Sequence, residues 1–347
     1  MIGNLVEEDS DNLHRFTFFS TDVNRTIVSA MSNMLGMYGQ PDGSSRAEVD
    51  YPGETGWPVG YVPIPVHTID FNTNHIGNPD AECKRLPLLW KMAKTSPELQ
   101  TFQKRADVVE LLHQLTGYCG KNISVENFWI VQDSLFIEQI HKNETLRAKN
   151  KWFTDDLYNR IDDVLNQIVA YENGLFDETV VINNLDIGLE MRKIRGGSLF
   201  NDINARMNMK LDCMNRASPI CKWIKPLNMT PPSMRFLSVL GITKKVVQPG
   251  GYPPYTSAVF IELWINHTSN QPYFKLLYHK NAQTDTLYPI TPFIDACGKA
   301  TYCKLEIFRH FAASTKPDEP LETVAPVVYR LPQGNCGKWT QLVQEED

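Results

Sequence analysis

Phe16-Thr17-Phe18-Phe19-Ser20-Thr21-Asp22 opens as a short β-type run and closes on side chains suited to capping a helix. The acidic Asp22 is well placed for the positive end of a helix dipole. Behind it, Ile27, Met31, Leu35 and Tyr38 recur at helical spacing, and Gly39 is a plausible stop. Strand, turn and helix in this order are the unit from which parallel sheets are built. A Gly-, Ser- and Pro-containing loop from Gly43 to Trp57 then leads into Tyr61-Val62-Pro63-Ile64-Pro65-Val66-His67. Its prolines lack the N–H a central strand needs, so this run is expected at an edge.

Further along, the period changes. From Glu98 to Ala170 the pattern is strongly helical, with Val108, Leu111, Leu112 and Leu115 forming one apolar face. Leu157, Ile161, Val164, Leu165 and Ile168 form another. Helices with no strands between them read as an inserted or capping domain. Gly196-Gly197 precedes a helix carrying Ile203, Met207 and Leu211, and Ala258–Asn266 with Tyr273–Tyr278 reads as a hairpin turning around Thr268–Gln271.

Composition bounds the function. The 347 residues are 42% hydrophobic and 21% charged, enough for one large domain or a core with an insert. A net charge of -6 without a basic run argues against nucleic acid as a partner. No stretch approaches the roughly 20 apolar residues of a membrane span, and the acidic, polar run from Met1 to Asp11 is no signal peptide. Asn-x-Ser/Thr sequons at Asn24, Asn122, Asn143, Asn228 and Asn266 nevertheless suggest a secretory route. Pro231 after Asn228 and a helix start at Asn24 leave Asn122, Asn143 and Asn266 as the better acceptors. Cys213 with Cys221, and Cys297 with Cys303, are closely spaced pairs. In a cytosolic protein they would suggest metal ligands, but the His and Cys needed to complete a zinc set are missing nearby. Short-loop disulfides are favoured over a metal site.

Several of these stretches, in order and in register, resemble the histidine acid phosphatases of the lysosomal and prostatic kind. Ser20-Thr21-Asp22-Val23-Asn24-Arg25-Thr26 resembles that family's Arg-Ser-Thr-Asp-x-x-Arg-Thr segment, and Pro63–Thr68 the segment that follows it. Phe102–Arg105, Gly196-Gly197 and Pro253-Pro254-Tyr255-Thr256-Ser257 add to the match; Cys213 to Trp223 looks most like nematode members. The resemblance runs from Arg15 to Cys336. It implies an α/β core with a mainly parallel sheet flanked by helices, formed by residues 1–71 and 191–347, and an all-helical cap inserted at 72–190. It implies disulfides Cys83–Cys336, Cys213–Cys221 and Cys297–Cys303, with Cys119 free, no metal and no cofactor. Secreted or lysosomal placement follows from the same likeness.

The family hydrolyses phosphomonoesters at acid pH through a phosphohistidine, with arginines clamping the phosphate and an Asp protonating the leaving group. Three departures remove those parts. The Arg-His-Gly nucleophile segment, with the first core strand, is expected upstream of where this chain starts. Phe19 stands where the family has arginine, and a phenyl ring cannot donate to a phosphate oxygen. Met229 and Thr230 stand where the family has His-Asp. Arg309-His310 lacks the following glycine and reads as a surface pair on a helix, and His14-Arg15 as a polar lead-in to the first strand. Arg25 keeps the motif's second arginine and is a candidate anion contact, with a structural salt bridge the equal alternative. Three readings result: a catalytically inactive homologue that binds, an active acid phosphatase whose front segment lies outside this chain, or a non-functional fragment. Restored upstream residues would not repair Phe19, Met229 or Thr230, which favours the first. Its ligand would be a phosphorylated or lipid-like small molecule, or a protein partner, and a homodimer is compatible with the family.

Overall fold

The computed structural model describes residues 18–38, 43, 45–63, 65–78, 81–216, 233–247 and 253–317. These form two compact units. The first comprises Met1–Glu82 and Ala205–Leu227, the second Cys83–Asn204 and Asn228–Asp347.

In the first unit, β1 (Phe18–Thr21) and β2 (Val66–Ile69) pair in parallel, with α1 (Asn24–Tyr38) packed on the pair. The strand–turn–helix reading is realised, but the apolar face is rotated. Met34 is buried, whereas Met31 and Leu35 are about half exposed, as is Val28. Residues 27, 30 and 34 share a stripe as well as 27, 31 and 35 do, and the strands take the former.

The second unit begins with helices α2 (Arg85–Ala93), α3 (Pro97–Lys104), α4 (Ala106–Cys119), α5 (Phe128–Lys149) and α6 (Asp155–Glu172). Ser96 and Thr154 cap α3 and α6 through side-chain oxygens that accept the N–H of Leu99 and Leu157. The α6 face read from the sequence, Leu157 to Ile168, is buried, as are Val108, Leu111 and Leu115 of α4. After α6, Gly174 takes φ +71°, the left-handed position that ends helices. A Cβ there would come 2.2 Å from the Gly188 carbonyl oxygen.

A small hairpin, β3 (Val181–Ile182) and β4 (Leu185–Asp186), leads into α7 (Ile187–Arg192), a π-turn at Lys193–Gly197, and α8 (Ser198–Asn215). α9 (Ser233–Val239) and the short α10 (Thr243–Val246) follow. The larger sheet holds β5 (Ala258–Ile265), β6 (Pro272–His279), β7 (Leu287–Pro289) and β8 (Cys303–Lys304), closed by α11 (Leu305–Ser314). All its pairings are antiparallel. Among the described strands, therefore, only β1–β2 pair in parallel, beside a single parallel bridge between Ala47 and Tyr51. A tight Asn266–Gln271 turn joins β5 to β6, and such a link can connect only antiparallel strands. Phe200, Phe236, Phe274 and Phe308 form the unit's aromatic core, Phe200 and Phe308 with ring centroids 4.1 Å apart.

Cys297 and Cys303 form a disulfide. Cys83 and Cys213 are also disulfide-bonded, while the partners expected for them, Cys336 and Cys221, lie outside the described residues. Cys119 is a free, exposed thiol, and partial desolvation by its neighbours raises its pKa.

Candidate functional site

Parallel strands place their carboxyl ends side by side, and in α/β sheets ligands settle there. At the ends of β1 and β2, Asp22 N–H donates to Ile69 O at 3.1 Å, keeping the two chains together past the last paired residues. The Thr26 hydroxyl donates to Thr21 O at 2.7 Å and Val23 O at 2.8 Å, fastening the first turn of α1 to the strand end. Opposite lies a loop built from amides. Asn74, only 3% exposed, donates through Nδ2 to Thr21 Oγ1 at 3.2 Å and accepts the Gly77 N–H at 2.7 Å. Asn78 donates to Phe71 O, and Asp70 Oδ1 accepts the N–H of Asn72 and Thr73. Arg25 stands exposed on the first turn of α1. A cation beside a helix N-terminus can hold an anion.

Phe19 is in register with His67 across the parallel pair. Met229 and Thr230 lie outside the described residues, as does His14. His310 is exposed on α11, and Arg309 before it pairs with Glu306 at 3.2 Å. The Asn74 anchor was missed in the sequence. The Asp/Asn-rich run from Asp70 to Asp80 was the signal that could have shown it.

A cavity of about 620 Å³ lies between α4, α6 and Lys244 of α10. Its charges are largely spent on one another. Arg105 grips Asp107 through two contacts of 2.9 and 2.7 Å and reaches Gln167 at 2.8 Å, while Lys244 meets Asp177 at 2.6 Å. The Arg105 hydrogen bond holds the Asp107 carboxyl at about 2, so this pair stays charged in acid. Burial, with Glu98 nearby, pushes the Tyr171 phenol up to about 12.

A sequence profile of the histidine phosphatase superfamily, branch 2, matches residues 1–279. The chain belongs to that superfamily. A Caenorhabditis elegans protein named provisionally as acid phosphatase 10 is 28% identical over 318 residues, covering 89% of this chain and 76% of its own. Human prostatic acid phosphatase is 27% identical over 309 residues, covering 86% and 68%. Bovine lysosomal acid phosphatase is 23% identical over 305 residues, covering 87% and 63%. The matched region includes Phe19, Arg25, Met229 and Thr230. Among the described residues, no helix is long and apolar enough to cross a membrane.

Proposed function

We propose that this histidine phosphatase homologue binds phosphorylated ligands without turning them over. What supports the reading is the sequence resemblance, which sets Phe19 where the family motif carries a phosphate-clamping arginine and Met229-Thr230 where it carries His-Asp, both within the matched residues 1–279. Phosphoryl transfer gains its rate from charge neutralisation and leaving-group protonation. A phenyl ring, a thioether and a neutral hydroxyl supply neither. Arg25, exposed beside the N-terminus of α1, supports anion binding at the carboxyl ends of β1 and β2.

The test is hydrolysis of para-nitrophenyl phosphate at mildly acidic pH by protein secreted from eukaryotic cells. The expected result is no turnover above background. Turnover at the level of an ordinary acid phosphatase would establish the second reading, an active enzyme, which the names of the relatives favour.

Secreted or lysosomal placement is part of the same proposal. Asn122, Asn143 and Asn266 are all exposed, which supports their use as glycan acceptors. Enzymatic removal of N-glycans from the secreted protein is expected to lower its mass by three glycans. Each single Asn→Gln change should remove one of them, and an unchanged mass would refute the placement.

A further inference from the structure

The ring of His279, at the end of β6, lies between two backbone carbonyls. Nδ1 is 3.1 Å from Thr256 O, and Nε2 is 2.7 Å from Thr284 O. A carbonyl oxygen can only accept, so each contact requires an N–H on the imidazole. The neutral ring carries one N–H and the imidazolium carries two. Only the protonated ring therefore satisfies both contacts; the neutral ring turns one nitrogen lone pair toward an oxygen.

Both contacts lie on segments that need holding. Thr256 has φ +64°, a left-handed conformation that a β-branched residue adopts only when its surroundings impose it. Its neighbour Tyr255, exposed at 60%, stacks on Phe136 of α5 with ring centroids 4.9 Å apart and places its hydroxyl 3.5 Å from Asp133. The turn that His279 grips is thus the one that reaches the helical block. Thr284 belongs to the loop between β6 and β7, which turns on Asn281 through its carbonyl and its Oδ1.

We propose that His279 is a proton-operated clasp, its doubly protonated ring tying the Pro253–Ser257 turn to the 280–286 loop and, through Tyr255, holding α5 to the sheet. The junction is tight in acid and loosens as the ring loses a proton. No carboxylate stands within 4 Å of the imidazole among the described residues. The charged groups beside it are Lys280, next in sequence, and Asp285, next to Thr284, both exposed. Its partners across the sheet, Ala258 on β5 and Leu287 on β7, are uncharged. Tyr278 precedes it and Tyr255 precedes the gripped Thr256, and Asp133 faces the Tyr255 hydroxyl. The clasp does not depend on whether the chain hydrolyses phosphoesters.

Hydrogen–deuterium exchange of the full chain at pH 5 and pH 8, corrected for intrinsic rates, tests it. Peptides covering 253–257 and 280–286 are expected to open about fivefold more slowly at pH 5, the effect of one charge-assisted hydrogen bond in a partly exposed site. In His279→Gln the ratio should fall to one. Equal opening at both pH values in the wild type, or an unchanged ratio in His279→Gln, would overturn the clasp. Should the variant not fold, ¹⁵N imidazole NMR of the wild type decides: two ring N–H protons protected from solvent exchange at pH 5 support the clasp, and ring N–H protons that exchange as freely as in an exposed histidine refute it.

Discussion

Replacing Glu190 by Gln is expected to destabilise the protein by about 3–5 kcal/mol, the usual effect of removing one member of a buried ionic group. Glu190 lies on α7 with its side chain 3% exposed, and each carboxylate oxygen holds a cation: Arg85 Nη2 at 2.8 Å and Lys193 Nζ at 2.9 Å. Those partners are themselves 4% and 9% exposed. An amide at this position removes the negative charge that lies between two buried cations. Urea unfolding followed by circular dichroism would measure the change. A loss under about 1 kcal/mol would mean that water reaches the group and screens it. A triple replacement, Arg85→Met with Glu190→Leu and Lys193→Met, is expected to be less damaging than the single change, since the three buried charges are removed together.

Gly197→Ala should cost about 3 kcal/mol, toward the upper end of overpacking effects, because the obstruction is backbone and cannot rotate away. A Cβ on Gly197 would stand 2.1 Å from Thr315 O, at the end of α11. Gly196, its neighbour in the π-turn, would meet Arg235 O and Val239 Cγ2, each at 2.8 Å. The two glycines thus let the π-turn lie flat against α9 on one side and the end of α11 on the other. Thermal unfolding of Gly197→Ala should show a lowered midpoint, and an unchanged midpoint would mean the π-turn can rewind to an ordinary helix without strain.

Local periodicity made much of this fold legible. The α4 and α6 faces and the β5–β6 hairpin each depend on residues within a few positions of one another, and the structure has them as read. The α1 face was misplaced because the more apolar stripe, Ile27 with Met31 and Leu35, is not the one the strands take; they bury Met34, and that choice belongs to β1 and β2, not to the helix. Contacts across long separations left no pattern to read. Arg85 and Glu190 lie 105 residues apart, and Asn74 and Thr21 lie 53 apart. Either residue of each pair, met alone, is an ordinary polar side chain. At the candidate site, family resemblance pointed to Phe19 and Arg25, while Met229 and Thr230, which it also singled out, lie outside the described residues. It could not indicate the amide-built loop that braces the strand ends, because that bracing depends on where the chain returns after β2. His279 was equally silent, since its partners are backbone carbonyls and carry no side-chain signature.

The meeting of Gly174 with Gly188 has a bearing on how this chain can vary. The atom that would obstruct a side chain at 174 is the carbonyl oxygen of 188, and at 188 the nearest obstruction is the carbonyl oxygen of 174, 2.8 Å from a would-be Cβ. Every amino acid carries that oxygen. A change at one position therefore cannot be rescued by trimming the other, as a large-for-small exchange is rescued between packed side chains. In a saturation library the two sites should each accept glycine alone, with no compensating double mutants between them.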